Sequence, residues 1–122
     1  MLPSKPQKAP RAVTDIWRQA LKLQKRAAAV GFDWPDAHGA LDKVIEEAGE
    51  VRAELKSAPY RKLESEVGDL LFAALNVARL SGVDPEKALT RCCDKFTARF
   101  RKVKALARKH GKPMLEHTLA EL

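Results

Sequence analysis

This chain of 122 residues predicts an all-α helical bundle. Three observations carry the prediction. Apolar residues recur at three- and four-residue spacing through successive stretches of roughly 20 residues. Glycine and proline fall between those stretches and break each one off. No run of alternating apolar and polar residues, the pattern of a half-buried strand, occurs anywhere. The composition agrees. Hydrophobic residues make up 45%, enough for a core, while 32% charged and 6% aromatic residues suit amphipathic helices.

Residues 1–12 are rich in Pro, Lys and Gln and read as a flexible tail ahead of one domain over 13–122. Thr14 is placed to cap a first helix. Trp17, Ala20, Leu21, Leu23, Ala27, Ala28 and Val30 supply its apolar spacing, and Gly31 stops it. Phe32 to Asp36 is a loop broken by Pro35. A second helix runs from about His38 to Ser57, with Leu41, Val44, Ile45, Ala48, Val51 and Leu55 as its core stripe and Pro59 beyond it. A third runs from about Arg61 to Ser81. Its middle, Leu70 to Leu75, is apolar nearly all round, which predicts burial on several sides and therefore a subunit interface as well as an internal core. Gly82 closes it. Asp84 caps a fourth helix with Pro85 at its first position. That helix reaches about His110, where Gly111 and Pro113 end it, and Leu115 to Leu122 begins another.

The net charge is +7 and the isoelectric point about 9.7. Its distribution matters more than its sum. Arg91 to Lys112 is strongly basic, whereas Asp42 to Asp69 is acidic on balance. A duplex-binding protein needs only the first patch. An anion bound through a metal needs both, so nucleic acid is not the expected partner. No stretch approaches the ~18 uninterrupted apolar residues of a membrane span, and the N-terminus has no apolar segment of a secretory signal. Adjacent Cys92 and Cys93 lack the spacing of a zinc site or a disulfide framework and read as small packing residues in a reducing, cytoplasmic setting.

Two acidic clusters carry chemistry: Glu46, Glu47 and Glu50, then Glu66 and Asp69. Residues three apart share a helix face, so Glu47 pairs with Glu50 and Glu66 with Asp69. If the two helices run antiparallel, four carboxylates converge. Such a cluster repels itself without a cation, and hard divalent ions prefer oxygen ligands. A solvated acidic face is the commoner meaning of such a motif. Three features argue otherwise here. The second helix carries few lysines at i,i+4 from its acids. Glu66 and Asp69 directly precede the most apolar run. Asn76, seven residues past Asp69 on the same face, is a polar group that needs a partner. On the fourth helix Lys95 and Arg99 lie one turn apart beside Phe96 and Phe100, which mark a core face, and offer a point charge and a fork for phosphate oxygens. Lys43 stands one turn before Glu47 and suits either phosphate or that carboxylate. The histidines show no metal spacing, and Trp34 reads as a core plug in preference to a base-stacking platform.

Beyond these, Leu23 to Ala27, Val30 to Pro35, Lys43 to Glu47 with Glu50, Glu66 to Ala73, Asn76 to Arg79, Pro85 to Leu89 and Lys95 to Phe100 resemble, in order, the catalytic domain of MazG nucleoside triphosphate pyrophosphohydrolases, most closely the C-terminal of the two domains in the long proteins. The resemblance implies four-helix bundles completed by dimerisation. It implies hydrolysis of a nucleoside triphosphate to the monophosphate and pyrophosphate, dependent on Mg²⁺ with Mn²⁺ as a substitute. Glu47, Glu50, Glu66 and Asp69 then match metal ligands and Glu46 the other acid of the E-E-x-x-E, while Glu46 or Glu47 is the catalytic candidate for orienting or deprotonating the attacking water. Lys43, Lys95 and Arg99 match triphosphate positions and Asn76 a polar position beside the substrate. The Trp that meets the base in a final helix of long relatives is absent from these residues. Alternatives are a related all-α pyrophosphohydrolase acting on dUTP or phosphoribosyl-ATP, a basic helical nucleic-acid-binding module, and a scaffold that merely oligomerises.

Overall fold

The computed structural model describes residues 13–56 and 59–111. The all-α expectation holds: the described residues form α1 (Val13–Ala29), α2 (Ala37–Glu54), α3 (Tyr60–Leu80) and α4 (Pro85–Lys109). The expected tail over 1–12, Ser57, Pro113 and the expected last helix over Leu115 to Leu122 lie outside them.

Local chemistry sets the boundaries. α1 begins at Val13, so Thr14 sits inside its first turn and not at its cap. After α1, Gly31 takes the left-handed backbone (φ 88°) that turns the chain into the loop, as Gly82 (φ 72°) does after α3. Asp36 caps α2, its Oδ1 accepting from the backbone N–H of His38 at 2.9 Å and Gly39 at 3.3 Å. α3 starts directly after Pro59, whose carbonyl accepts from Lys62 and Leu63.

The chain divides into two units, one through Pro85 and one from Glu86 onward. In the first, α2 and α3 form a hairpin. Lys62 pairs with Glu54 at 3.1 Å beside the connection, and Glu47 meets Glu66 and Asp69 farther along, so the helices run antiparallel. α1 lies against α3, with Gln24 Nε2 donating to the Phe72 carbonyl at 2.9 Å. The core holds Ala40, Ala73 and Leu75, the last only 1% exposed, with Gln24 and Glu47 buried among the polar residues. Alanines at 40 and 73 let the backbones approach closely.

The apolar stripes are less covered than expected. Leu41, Ile45 and Leu55 of α2 are exposed, and so are Leu71 (49%) and Phe72 of α3. A helix apolar on several sides needs neighbours on several sides, and α1 and α2 supply only some of them. In the second unit, Phe96 and Phe100 do not mark a core face either. Phe96 is 68% exposed, and the two rings stack on each other with centroids 6.1 Å apart, Lys104 Nζ lying 5.3 Å from the Phe100 centroid. Cys92 and Cys93, expected as packing residues, are exposed free thiols.

Candidate functional site

Helical spacing brings Glu66 and Asp69 to one face of α3, and the antiparallel packing of α2 brings Glu47 against them. Each of the three offers a carboxylate oxygen within 4.8 Å of the others. Glu47 is buried at 8% exposure, Glu66 half-buried and Asp69 exposed, so the cluster opens from the helix interface toward solvent. Burial pushes the Glu66 carboxyl above its usual range, and the neighbouring charges of Glu50, Asp69, Glu47 and Glu54 push it the same way. The donor set therefore fits a hard divalent cation on two grounds: all its atoms are carboxylate oxygens, and its negative charge is incompletely balanced within the described residues.

Of the other expected site residues, Glu50, Lys43 and Glu46 of α2 lie near this triad. Glu50 is not part of it, yet it is close enough to raise Glu66 and to act on Lys62. Lys43 lies on the same side of α2, its Nζ 3.1 Å from Glu47 and 3.4 Å from Glu46. Its hydrogen bond to Glu47 raises its affinity for a proton, so it stands as a cation at the rim. Lys95 and Arg99 are exposed on α4, in the other unit.

Farther along α3 lies a cavity of about 290 Å³ lined by Leu23, Gln24 and Ala27 of α1, Phe32, Asp33 and Trp34 of the loop, and Phe72, Asn76 and Arg79 of α3. Arg79 organises one wall. Its guanidinium grips Asp33 with both terminal nitrogens, at 3.0 and 2.5 Å, and Nη2 also donates to Asn76 Oδ1 at 2.9 Å. That grip holds the Asp33 carboxyl below its usual range. Asn76 thus finds the partner its position demanded. Trp34 is not a core plug: it remains partly exposed and packs on α2, where a Cβ at Gly39 would stand 3.1 Å from its ring. Sequence reasoning missed Gln24, Asp33 and Arg79 as lining residues of one cavity. The only signal was the placement of Arg79 one turn beyond Asn76.

Known proteins resemble this chain over most of its length. Residues 37–104, which span α2, α3 and most of α4, match the family model of the MazG nucleotide pyrophosphohydrolase domain. The nucleoside triphosphate pyrophosphohydrolase/pyrophosphatase MazG of Thermotoga maritima is 42% identical over 103 residues, 84% of this chain and 39% of its own length. The nucleoside triphosphate pyrophosphohydrolase of Escherichia coli K12 is 45% identical over 107 residues, 86% of this chain and 40% of its own. The chain therefore spans about two-fifths of the length of these curated relatives. A shorter match, 40% over 66 residues, joins it to the uncharacterized protein YabN of Bacillus subtilis. With the family model covering more than half of its residues, the carboxylate triad included, the chain belongs to the MazG nucleotide pyrophosphohydrolase domain family.

Proposed function

We propose that this chain hydrolyses a nucleoside triphosphate to the nucleoside monophosphate and pyrophosphate, with Mg²⁺ as its metal, Mn²⁺ as a substitute, and a homodimer as its working form. The observation that carries the reading is the triad of Glu47, Glu66 and Asp69 on two antiparallel helices, in a chain whose relatives bear that activity in their names.

Glu47, Glu66 and Asp69 would hold the metal, with Glu50 one turn along α2 completing the set. When bound, such an ion polarises phosphoryl oxygens and lowers the pKa of bound water. The reaction needs a water oxygen to form a bond to the α-phosphorus while the bridging α–β oxygen leaves with the pyrophosphate. Glu46 and Glu47 are the carboxylates for orienting that water and accepting its proton. Glu46 is the more exposed of the two, and Lys43 holds both by ion pairs, which fixes their direction. Lys43 would also face the triphosphate. Lys95 and Arg99 are assigned to the phosphates by their chemistry and by the family resemblance: Arg matches phosphate oxygens with a fork, Lys with a compact charge. Asn76 is assigned to the substrate on α3. The dimer would cover the apolar faces of α2 and α3 that stay exposed in one chain.

The test is pyrophosphate release from a panel of ribo- and deoxynucleoside triphosphates, dUTP included, with Mg²⁺ and with EDTA. Glu50→Gln and Asp69→Asn should each lose turnover by several orders of magnitude while keeping the helical circular dichroism. Normal hydrolysis in both variants would remove the metal assignment. Absence of release from every substrate, together with salt-sensitive DNA binding that survives EDTA, would favour a nucleic-acid-binding module in its place.

A further inference from the structure

Lys95 and Arg99 are the only cations of α4 that the proposed hydrolysis uses. The helix holds nine of the chain's 23 basic residues and two of its 16 acids, so its own balance equals the +7 of the whole molecule. From Lys95 to Lys109 there is no acid at all. Arg101, Lys104 and Arg108, at i, i+3 and i+7, share one face, are exposed and form no ion pair among the described residues. Cations in the last turn of a helix offset its dipole, which accounts for Arg108 and Lys109 but not for Arg101 and Lys104 farther back.

Beside this face runs a line of flat apolar surface. Phe96, Phe100 and Lys104 follow one another at four-residue spacing. Both rings are exposed, their planes only 12° apart, and Lys104 stands over Phe100. The open stripe stops there: Val103 is half-buried and Ala107, farther along the same side, is buried. A helix lying in a membrane interface sinks its whole apolar side, so a bilayer is the poorer occupant. A second α4 would set like charge against like. Flat rings among cations suit a chain that carries regular negative charge and free planar faces. The charge distribution of the sequence did not point to nucleic acid; the two open rings among these cations do. We propose that α4 binds single-stranded nucleic acid along Phe96 to Arg108, about 18 Å of helix. Arg101, Lys104 and Arg108 take its phosphates, and unpaired bases stack on Phe96 and Phe100. This function is additional to hydrolysis and does not depend on it.

The experiment titrates the whole chain in EDTA, so that metal and turnover play no part. Fluorescence anisotropy follows labelled oligo(dT) and oligo(U) of about 20 nucleotides, and a duplex of the same length. At least one strand should bind saturably and more tightly than the duplex, whose base faces are closed to the rings; the tighter of the two tells DNA from RNA. Three phosphate contacts predict a slope of log K against log salt of about −2, and Lys104→Gln with Arg108→Gln should flatten it to about −0.7. That double variant should release pyrophosphate as the parent does, which separates strand binding from hydrolysis. Phe100→Ala should weaken the strand about fivefold or more at an unchanged slope, and should sediment like the parent. A duplex bound as tightly as the strands, or a Phe100→Ala variant that binds like the parent, would reduce α4 to a patch of charge and overturn the proposal. Dissociation of Phe100→Ala into smaller species would give the ring to a subunit interface and overturn it too. So would a protein that ignores all three probes, whether or not it sediments with vesicles of phosphatidylcholine and phosphatidylserine.

Discussion

Glu66 concentrates the electrical conflict of the site. Partial burial and four neighbouring carboxylates oppose its ionisation, so without metal its charge works against the folded state at neutral pH and does so less as pH falls through its raised pKa. Glu66→Gln should therefore raise the melting temperature of the metal-free protein and, in the same variant, erase the stabilisation that Mg²⁺ confers. For the parent that stabilisation is about 2.7 kcal/mol at a hundredfold excess over Kd. Melting curves with and without Mg²⁺ read both effects, and a variant that loses stability without metal and still responds to Mg²⁺ would contradict the assignment. Asp33 has the opposite sign. Its pKa is lowered by the hydrogen bonds from Arg79, so its contribution is fully present above the ordinary carboxylate value near 3.9 and is lost as pH falls through the lowered one. Asp33→Asn should melt lower than the parent at pH 6, and the gap should narrow as pH falls below the ordinary carboxylate range, as scanning calorimetry would show.

At the scale of elements, the α2–α3 hairpin is the scaffold of the site. Glu47 and Glu66 are carried by different helices, and their spacing depends on how closely those helices approach. Ala40 of α2 and Ala73 and Leu75 of α3 are the buried apolar residues of these helices, and Leu75 is the large side chain that is fully buried. Leu75→Ala should cost about 2–5 kcal/mol of stability in urea denaturation. Because it leaves every ligand in place, it should also weaken Mg²⁺ binding by loosening the hairpin. The loop between α1 and α2 has an analogous role on the other side of α3. Asp36 fixes where α2 starts, Gly39 leaves room for the Trp34 ring, and Asp33 ties the loop to Arg79. Asp33 holds the loop to α3, and Asp36 and Gly39 hold it to α2, which leaves the cavity between the loop, α1 and α3.

For the whole molecule, the exposed apolar residues of α2 and α3 are what the proposed dimer would cover. Sedimentation should find a dimer, and Leu71→Asp should shift it toward monomer by placing a charge on an apolar face that is open in the single chain. A parent that sediments as a monomer at all concentrations would remove the dimer from the proposal. No helix among the described residues is long and apolar enough to cross a membrane, so these faces are not explained by a bilayer span.

Apolar periodicity, Gly31, Gly82 and Pro85 were enough to place four helices within a few residues, because helix formation and termination depend on neighbours in the chain. The pairing of Glu66 with Asp69 was legible for the same reason: three residues on a helix define a face. The sequence also carried the family, through motifs in a fixed order. What tertiary structure alone decided is which of these faces meet. Glu47, and not Glu50, completes the triad because the packing of α2 on α3 sets which face of α2 meets Glu66 and Asp69. Phe96 and Phe100 stack on each other in the open, and Gln24, Asp33 and Arg79, 55 positions apart at their extremes, line one cavity. Periodicity names the side of a helix that seeks a neighbour. The neighbour itself is fixed by long-range packing, which no local pattern encodes.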